Sequence, residues 1–364
     1  MKILFLIETI RPNGAERVTS IIAEQLADMS HDIFLICTGF EHGEKNQQYS
    51  FTKNVHVEFI PDISGNRLYL LFVRIHYLRK RIVELNPDCI ISLAQPRSLF
   101  MISMAQIKSS IPLIFSERND PSHYPSSKIE RLLRLIAYWS CDQIVFQTIN
   151  AKEFFPLKIS RKGTVIENPI TNNLPVVWNG VRKPYITTFC RLAPQKNLSL
   201  LLQAFALLSD DYPKLQLVIY GNGEMKNRLE EEAKQLNISS QTTFFPHSMN
   251  IHSLINDCLM YVSSSDYEGQ SNAMLEAMAM GLPCVCTDCP CGGANAVIQN
   301  GINGLLVPVG DAEKLSEAMR YMLTHPEDAC QMGRNASTIR YERRPEQIAK
   351  KWLNLIIKVT SEDN

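Results

Sequence analysis

Short apolar runs alternate with longer amphipathic segments through the first half of the chain, and that alternation restricts it to a parallel α/β sheet with helical crossovers. Ile3–Glu8, His31–Thr38, Val55–Ile60, Asp88–Leu93, Ile111–Ser116, Asp142–Gln147 and Gly163–Glu167 read as strands, with helical patterns between most of them. Ligands of such sheets bind beyond the carboxyl ends of the strands, so the loops after these runs are where function is expected. Asn168-Pro169-Ile170 closes the last run, and the polar, Pro-containing stretch Thr171–Pro184 reads as a linker. A new strand, Tyr185–Cys190, then opens a second domain, in which Leu215–Tyr220 and Thr242–Phe245 also read as strands. The expected division is residues 1–172 and 173–342, followed by a final amphipathic helix over 343–364 carrying Trp352, Leu353, Ile356 and Ile357.

A chain of 364 residues, 45% hydrophobic and 20% charged, has room for two cores and is not disordered. Its formal net charge of +0 argues against nucleic acid as the main partner. The ten Cys lie mostly in apolar runs, as reduced cytosolic cysteines do. The apolar start Met1–Ile7 stops at Glu8, too short for a signal segment, and no apolar run reaches about 18 residues. A soluble or peripheral cytoplasmic protein is expected.

The most specific stretch is Asp266-Tyr267-Glu268-Gly269-Gln270-Ser271-Asn272-Ala273-Met274-Leu275-Glu276, ending in Gly281-Leu282-Pro283. It reads as a loop with one carboxylate, Ser271 at a helix N-cap, a short helix carrying a second carboxylate, and a Gly stop. The first-turn N–H groups and the positive dipole end of that helix suit a phosphate. Glu268 precedes this anion site, and Glu276 lies about 7.5 Å along the axis from the cap. Two carboxylates bracketing an anion fit the shape of a sugar nucleotide: sugar, diphosphate, ribose.

This loop, helix and Gly-Pro context, with Ser263-Ser264-Ser265 before it, resembles the signature of the family 4 retaining glycosyltransferases. The resemblance spans almost the whole chain, and its specific motifs concentrate in residues 191–310. It implies the GT-B fold: two Rossmann-like domains facing each other across a cleft, with the C-terminal helix crossing back to the first domain. The first domain would bind the acceptor and the second the nucleotide-sugar donor.

Other loops extend both readings. Tyr185–Cys190 ends in Arg191-Leu192-Ala193-Pro194-Gln195-Lys196-Asn197, where no acid stands near the two cations in sequence, so diphosphate is their natural complement. This loop also resembles the family's Arg-Leu…Lys-Asn loop. Gly221-Asn222-Gly223 resembles its glycine turn lining the donor site, or simply starts a helix. Arg11-Pro12-Asn13-Gly14-Ala15-Glu16-Arg17 resembles its opening phosphate loop with Asn13 in place of the first Gly, or serves an ordinary tight turn. The family seats the nucleotide base near Pro246-His247, usually through backbone groups.

Where many members carry a His, this chain has Glu117-Arg118, which either pair with each other or contact an acceptor hydroxyl. Four Cys in 284–291 invite a metal reading, but a strand followed by a Pro-Gly loop fits them better, and no metal site is expected.

Residues 67–134 carry eleven Lys and Arg against five Asp and Glu, a surplus of +6. Within them, 67–85 sets Arg67, Arg74 and Arg81 beside an apolar stripe, and Lys128–Trp139 sets Arg131 and Arg134 beside another. Either these are solvated helix faces or they are basic faces attracted to an anionic membrane surface.

The resemblance implies transfer of a hexose or N-acetylhexosamine from a UDP-sugar, with retention, to a lipid-linked or polysaccharide acceptor. Arg191, Lys196 and the helix amides after Ser271 would stabilise the departing diphosphate. Glu268 would position the donor sugar or stabilise its oxocarbenium character, Glu276 would accept from ribose hydroxyls, and Gln270, Asn272, Gly14, Gly221 and Gly223 would line the donor. No Asp-x-Asp motif occurs, so metal-independent activity without a cofactor is expected. The alternatives are an epimerase or phosphorylase of the same fold, or a non-catalytic sugar-nucleotide-binding protein.

Overall fold

All seven apolar runs of the first half become strands in the computed structural model, which describes residues 1–10, 14–39, 51, 54–61 and 64–362. They are β1 (Lys2–Ile7), β2 (Asp32–Cys37), β3 (Val55–Phe59), β4 (Cys89–Ser92), β5 (Leu113–Ser116), β6 (Gln143–Phe146) and β7 (Gly163–Val165). They pair in parallel in the order β3-β2-β1-β4-β5-β6-β7, with Ile3 opposite Ile33 on one side and Cys89 on the other. Crossovers cover both faces of such a sheet, which is why Ile3, Leu4, Phe5 and Leu6 are all fully buried rather than alternating. The helices between them are α1 (Gly14–Asp28), α2 (Arg67–Leu85), α3 (Pro96–Ala105), α4 (Lys128–Ser140), α5 (Ile149–Glu153) and α6 (Leu157–Ser160). Asn66 caps α2 by accepting from the Tyr69 N–H at 2.9 Å, and Asn86 ends it in the left-handed conformation at φ 43°.

Two compact units make up the chain: Met1–Pro169 with Pro345–Asn364, and Ile170–Arg344. In the second, β8 (Lys183–Phe189), β9 (Gln216–Tyr220), β10 (Thr242–Phe245), β11 (Cys258–Ser263), β12 (Cys284–Thr287) and β13 (Leu305–Val307) form a parallel sheet ordered β10-β9-β8-β11-β12-β13. Its helices are α7 (Leu198–Ser209), α8 (Lys226–Gln235), α9 (Ile251–Ile255), α10 (Asn272–Ala279), α11 (Ala312–Thr324), α12 (Pro326–Ala336) and α13 (Ile339–Glu342). The last helix, α14 (Pro345–Glu362), belongs to the first unit despite its place in sequence. It packs on α1 and buries Ile348, Trp352 and Ile356 completely in the same core as Phe5, Ile22 and Leu26. No helix among the described residues is long and apolar enough to cross a membrane.

Candidate active site

β8 and β11 are neighbours in the second sheet, so the loops leaving their carboxyl ends lie side by side. A web of hydrogen bonds ties those loops together. The Asp266 N–H donates to the Gln195 carbonyl at 3.0 Å, Gln195 Nε2 to the Tyr267 carbonyl at 2.8 Å, and Ser264 Oγ to the Lys196 carbonyl at 3.0 Å. Asn197 donates from Nδ2 to Asp266 at 2.6 Å, while its Oδ1 caps α7 by accepting from the Leu200 N–H. The reach of this residue depends on its left-handed backbone, φ 39° and ψ 51°.

At the centre Lys196 Nζ is paired with Glu268, and the two side chains retain 17% and 20% exposure. Here the structure corrects the sequence reading of two unneutralised cations. The acid is 72 residues away in the chain, brought in by the adjacency of β8 and β11. Burial presses the Lys196 ammonium downward, but the Glu268 charge and hydrogen bond, with Cys190, outweigh it, and the pKa is raised. Arg191 stands on the exposed side of the same loop and makes no ion pair among the described residues.

Ser271 caps α10, its Oγ accepting from the Met274 N–H at 3.4 Å, and Asn272 is the first helical residue. Gln270, before the cap, is buried and accepts from Arg343 Nη1 at 2.8 Å. Glu276 points into a site formed with α9, where His252 Nε2 lies 2.7 Å from Glu276 Oε2 and the side chains are 15% and 4% exposed. Phe189, the last residue of β8, meets the His252 ring edge-on with centroids 6.4 Å apart.

Three glycines beside these loops permit close backbone approach. A Cβ on Gly221 would lie 1.9 Å from the Cys190 carbonyl oxygen, so the turn after β9 is seated directly on the Arg191 loop. The Leu192 N–H seals that contact by donating to the Asn222 carbonyl at 2.9 Å, and Gly223 packs as tightly on the Leu192 backbone. A Cβ on Gly293 would lie 1.7 Å from the Gly269 carbonyl oxygen, which presses the Cys-rich loop against the residue after Glu268. Cys284, Cys286, Cys289 and Cys291 are buried, Cys289 donating to the Ser265 carbonyl at 3.2 Å. Among the described residues no group of three or more His, Cys, Asp or Glu side chains is placed to hold a metal ion.

In the first unit Gly14 begins α1, while Arg11, Pro12 and Asn13 lie outside the described residues. Glu117 does not pair with Arg118, nor does it present a free carboxylate to an acceptor. It is buried at the end of β5, bonded to Arg134 Nη1 and to the Tyr138 hydroxyl, each at 3.1 Å. Burial pushes its carboxyl upward, against the pull of Arg134 and the Tyr138 hydrogen bond. Arg118 instead donates to Asn168 and, at 3.4 Å, to Ser116; burial lowers its pKa to about 9 despite the Glu117 charge.

The reading of the two basic helix faces is corrected at Arg134 alone. Arg134 is sealed, donating also to the Tyr124 and Pro121 carbonyls and lying 4.9 Å over the Phe155 ring. Arg131 is tied to the Pro125 and Ser122 carbonyls, and Arg81 is held by Glu58 and Glu84. Arg74 is half-buried, and the Arg67 side chain lies outside the described residues.

Comparison with known proteins decides the family. Residues 12–173 match the model described as Glycosyltransferase Family 4, and residues 177–338 match Glycosyl transferases group 1. The chain belongs to the family 4 glycosyltransferases. One relative of this glycosyltransferase is the Campylobacter jejuni GalNAc-alpha-(1->4)-GalNAc-alpha-(1->3)-diNAcBac-PP-undecaprenol alpha-1,4-N-acetyl-D-galactosaminyltransferase, 26% identical over 99% of each chain. Among solved structures, Thermosynechococcus elongatus sucrose-phosphate synthase superposes with TM-score 0.86, at 15% identity over 100% of both chains. Anabaena HepE in complex with UDP and glucose superposes with TM-score 0.81, at 18% identity over 98% of this chain and 100% of that one. The fold of this glycosyltransferase is therefore GT-B.

Sequence reasoning missed two groups in the glycosyltransferase. His252 sits in a helix of only five residues, with no signal linking it to Glu276. Glu8 directly follows β1, and in the sequence it stands only as the polar stop of an apolar run. With Glu16, Thr19 and Gln95 it lines a pocket, accepting from Ser98 Oγ at 2.7 Å and the Gln95 N–H at 3.2 Å. Burial raises its carboxyl pKa against those two bonds and the Arg74 charge. The strand-end rule was the available signal for Glu8.

Proposed function

We propose that this glycosyltransferase moves a hexose or N-acetylhexosamine from a UDP-sugar, with retention, to a hydroxyl of a lipid-linked or polysaccharide acceptor. The observation carrying this reading is the Lys196–Glu268 pair beside the capped start of α10, with Glu276 farther along the same helix. Arg191, Lys196 and the first amides of α10 stabilise charge gathering on the leaving diphosphate, fixed in place before the reaction. Glu268, oriented by Lys196, positions the donor sugar, and Glu276, held by His252, accepts from ribose hydroxyls. Gln270, Asn272, Gly14, Gly221 and Gly223 line the donor. The pocket with Glu8 and Glu16 takes acceptor hydroxyls in the first unit, since Glu117 is sealed.

Retention follows if the leaving diphosphate takes the acceptor proton on the face it departs from, so that no enzyme carboxylate need attack the sugar. The Campylobacter relative's polyprenol-linked substrate supports the acceptor class, and the HepE complex with UDP and glucose supports the nucleotide. Such an acceptor places the enzyme in the cytoplasm, at the inner face of a membrane.

The test is product analysis by mass spectrometry and NMR with a panel of UDP-sugars and a polyprenol-diphosphate glycan, in the presence of chelator. A new α-linked sugar on the glycan, from an α-linked donor, is the expected product. A changed sugar on unconsumed UDP would instead show an epimerase, and a sugar 1-phosphate released from the glycan only when inorganic phosphate is added would show a phosphorylase. Nucleotide binding without turnover would show a binding protein.

A further inference from the structure

Turning Arg134 into the protein and tying Arg131 to the preceding loop leaves α4 with an outer face that is apolar rather than basic. Ile129, Leu132, Ile136 and Trp139 are 71%, 58%, 38% and 57% exposed. Their spacing of three, four and three residues sets them on one stripe, about 15 Å long at 1.5 Å per residue. α6 stands beside the end of the stripe: Lys158 Nζ lies 5.5 Å over the Trp139 ring, and Leu157 is 73% exposed. Phe154, just before α6, is 49% exposed. Six exposed apolar side chains on neighbouring segments are uncommon on a soluble surface and mark a contact.

The charges around it select the partner. Residues 128–162 hold seven Lys and Arg against three Asp and Glu, a surplus of +4. Arg134 alone of these cations is sealed against Glu117, and Lys128, Lys158 and Arg161 are exposed. Pairing this face with a second copy of itself would set like charges against each other. An anionic bilayer meets both requirements: acyl chains take the stripe, an indole sits at headgroup depth, and lysines reach lipid phosphates.

We infer that α4 and α6 form a membrane-docking face on which Ile129, Leu132, Ile136, Trp139 and Leu157 enter an anionic lipid surface and the surrounding lysines hold its phosphates. The inference rests on the reading above only for its purpose, the delivery of a lipid-linked acceptor.

The experiment is sedimentation of the full chain with vesicles of equal parts phosphatidylcholine and phosphatidylglycerol, and with pure phosphatidylcholine, in the absence of donor and acceptor. Wild type pellets with the anionic vesicles. Leu132→Ser combined with Trp139→Ser lowers the bound fraction at least about tenfold while melting temperature and UDP binding stay unchanged. Brominated lipid quenches part of the wild-type tryptophan fluorescence and leaves Trp139→Phe untouched. No pelleting of wild type, equal pelleting of the double variant, absence of quenching, or a dimer that the double variant dissolves would each overturn the proposal. Vesicle binding is read independently of transfer, so a failure here leaves the proposed reaction standing, and a failure of the reaction leaves this face standing.

Discussion

The two units each hold an ion pair at the carboxyl end of a strand, and the pairs do opposite things. Glu117 and Arg134 are 7% and 3% exposed, and carbonyls, a phenol and an aromatic face complete their surroundings. Lys196 and Glu268 keep roughly a fifth of their surface open on loops whose backbones are locked to each other. Nothing in residue type separates the two. What separates them is exposure. The Glu117–Arg134 pair is closed off from solvent and braces the fold, whereas the rigidly held Lys196–Glu268 pair, left partly open, can exchange its contacts for those of a substrate.

The largest effect that tests this contrast is on turnover. Lys196→Met and Glu268→Gln should each lower transfer by about 10²- to 10³-fold, the magnitude of removing a preorganised electrostatic group. Their unfolding midpoints should move less than that of Arg134→Ala, because water can reach the partner left behind. Steady-state kinetics beside urea denaturation would break the comparison if stability fell and turnover survived.

Arg134→Ala should do the reverse, costing the first unit about 3–5 kcal/mol by leaving a buried carboxylate uncompensated. Urea denaturation measures the loss, and turnover per folded molecule should hold. Acid titration sharpens the point. The Glu117 pKa is raised above its ordinary value of 4.5 on folding, so its contribution to stability is fully present below 4.5 and is lost as pH rises through the folded value. Wild type should therefore lose stability relative to Glu117→Gln as pH rises from 4.5 through the folded value, about 1.4 kcal/mol for each unit by which that value is raised. A constant difference across that range would contradict the assignment.

A smaller effect concerns His252. Removing one charge-assisted hydrogen bond to Glu276 should weaken donor binding about tenfold. His252→Ala should thus raise the donor KM with kcat held, and His252→Gln, which can still donate, should recover most of it. An equal fall in kcat with KM unchanged would remove His252 from ribose positioning.

The sheet was legible because parallel strands covered on both faces are written as unbroken apolar runs; every such run from Ile3 to Glu167 marks a strand within two residues. The capped start of α10 was legible from Ser271 and its context, and α14 from its apolar stripe. Partners across sequence were not. Lys196 meets Glu268 only because β8 and β11 are neighbours, and Glu117 meets Arg134 rather than Arg118 because α4 returns over β5. The same blindness explains α4: a helical wheel shows cations beside an apolar stripe but not which of the two the protein keeps. Here carbonyls and Glu117 claim the arginines, and the stripe faces out.

The measurement that tests the central claim most directly is thermal stabilisation of the purified chain by UDP, with GDP and ADP alongside, in chelator. The variants to compare are Arg191→Ala combined with Lys196→Ala, and Glu117→Gln. At 100 times its dissociation constant UDP should stabilise wild type and Glu117→Gln by about 2.7 kcal/mol. The double variant should lose that stabilisation while remaining folded. Stabilisation that survives in the double variant, or that no nucleoside diphosphate produces, would contradict a donor site built on the loops after β8 and β11.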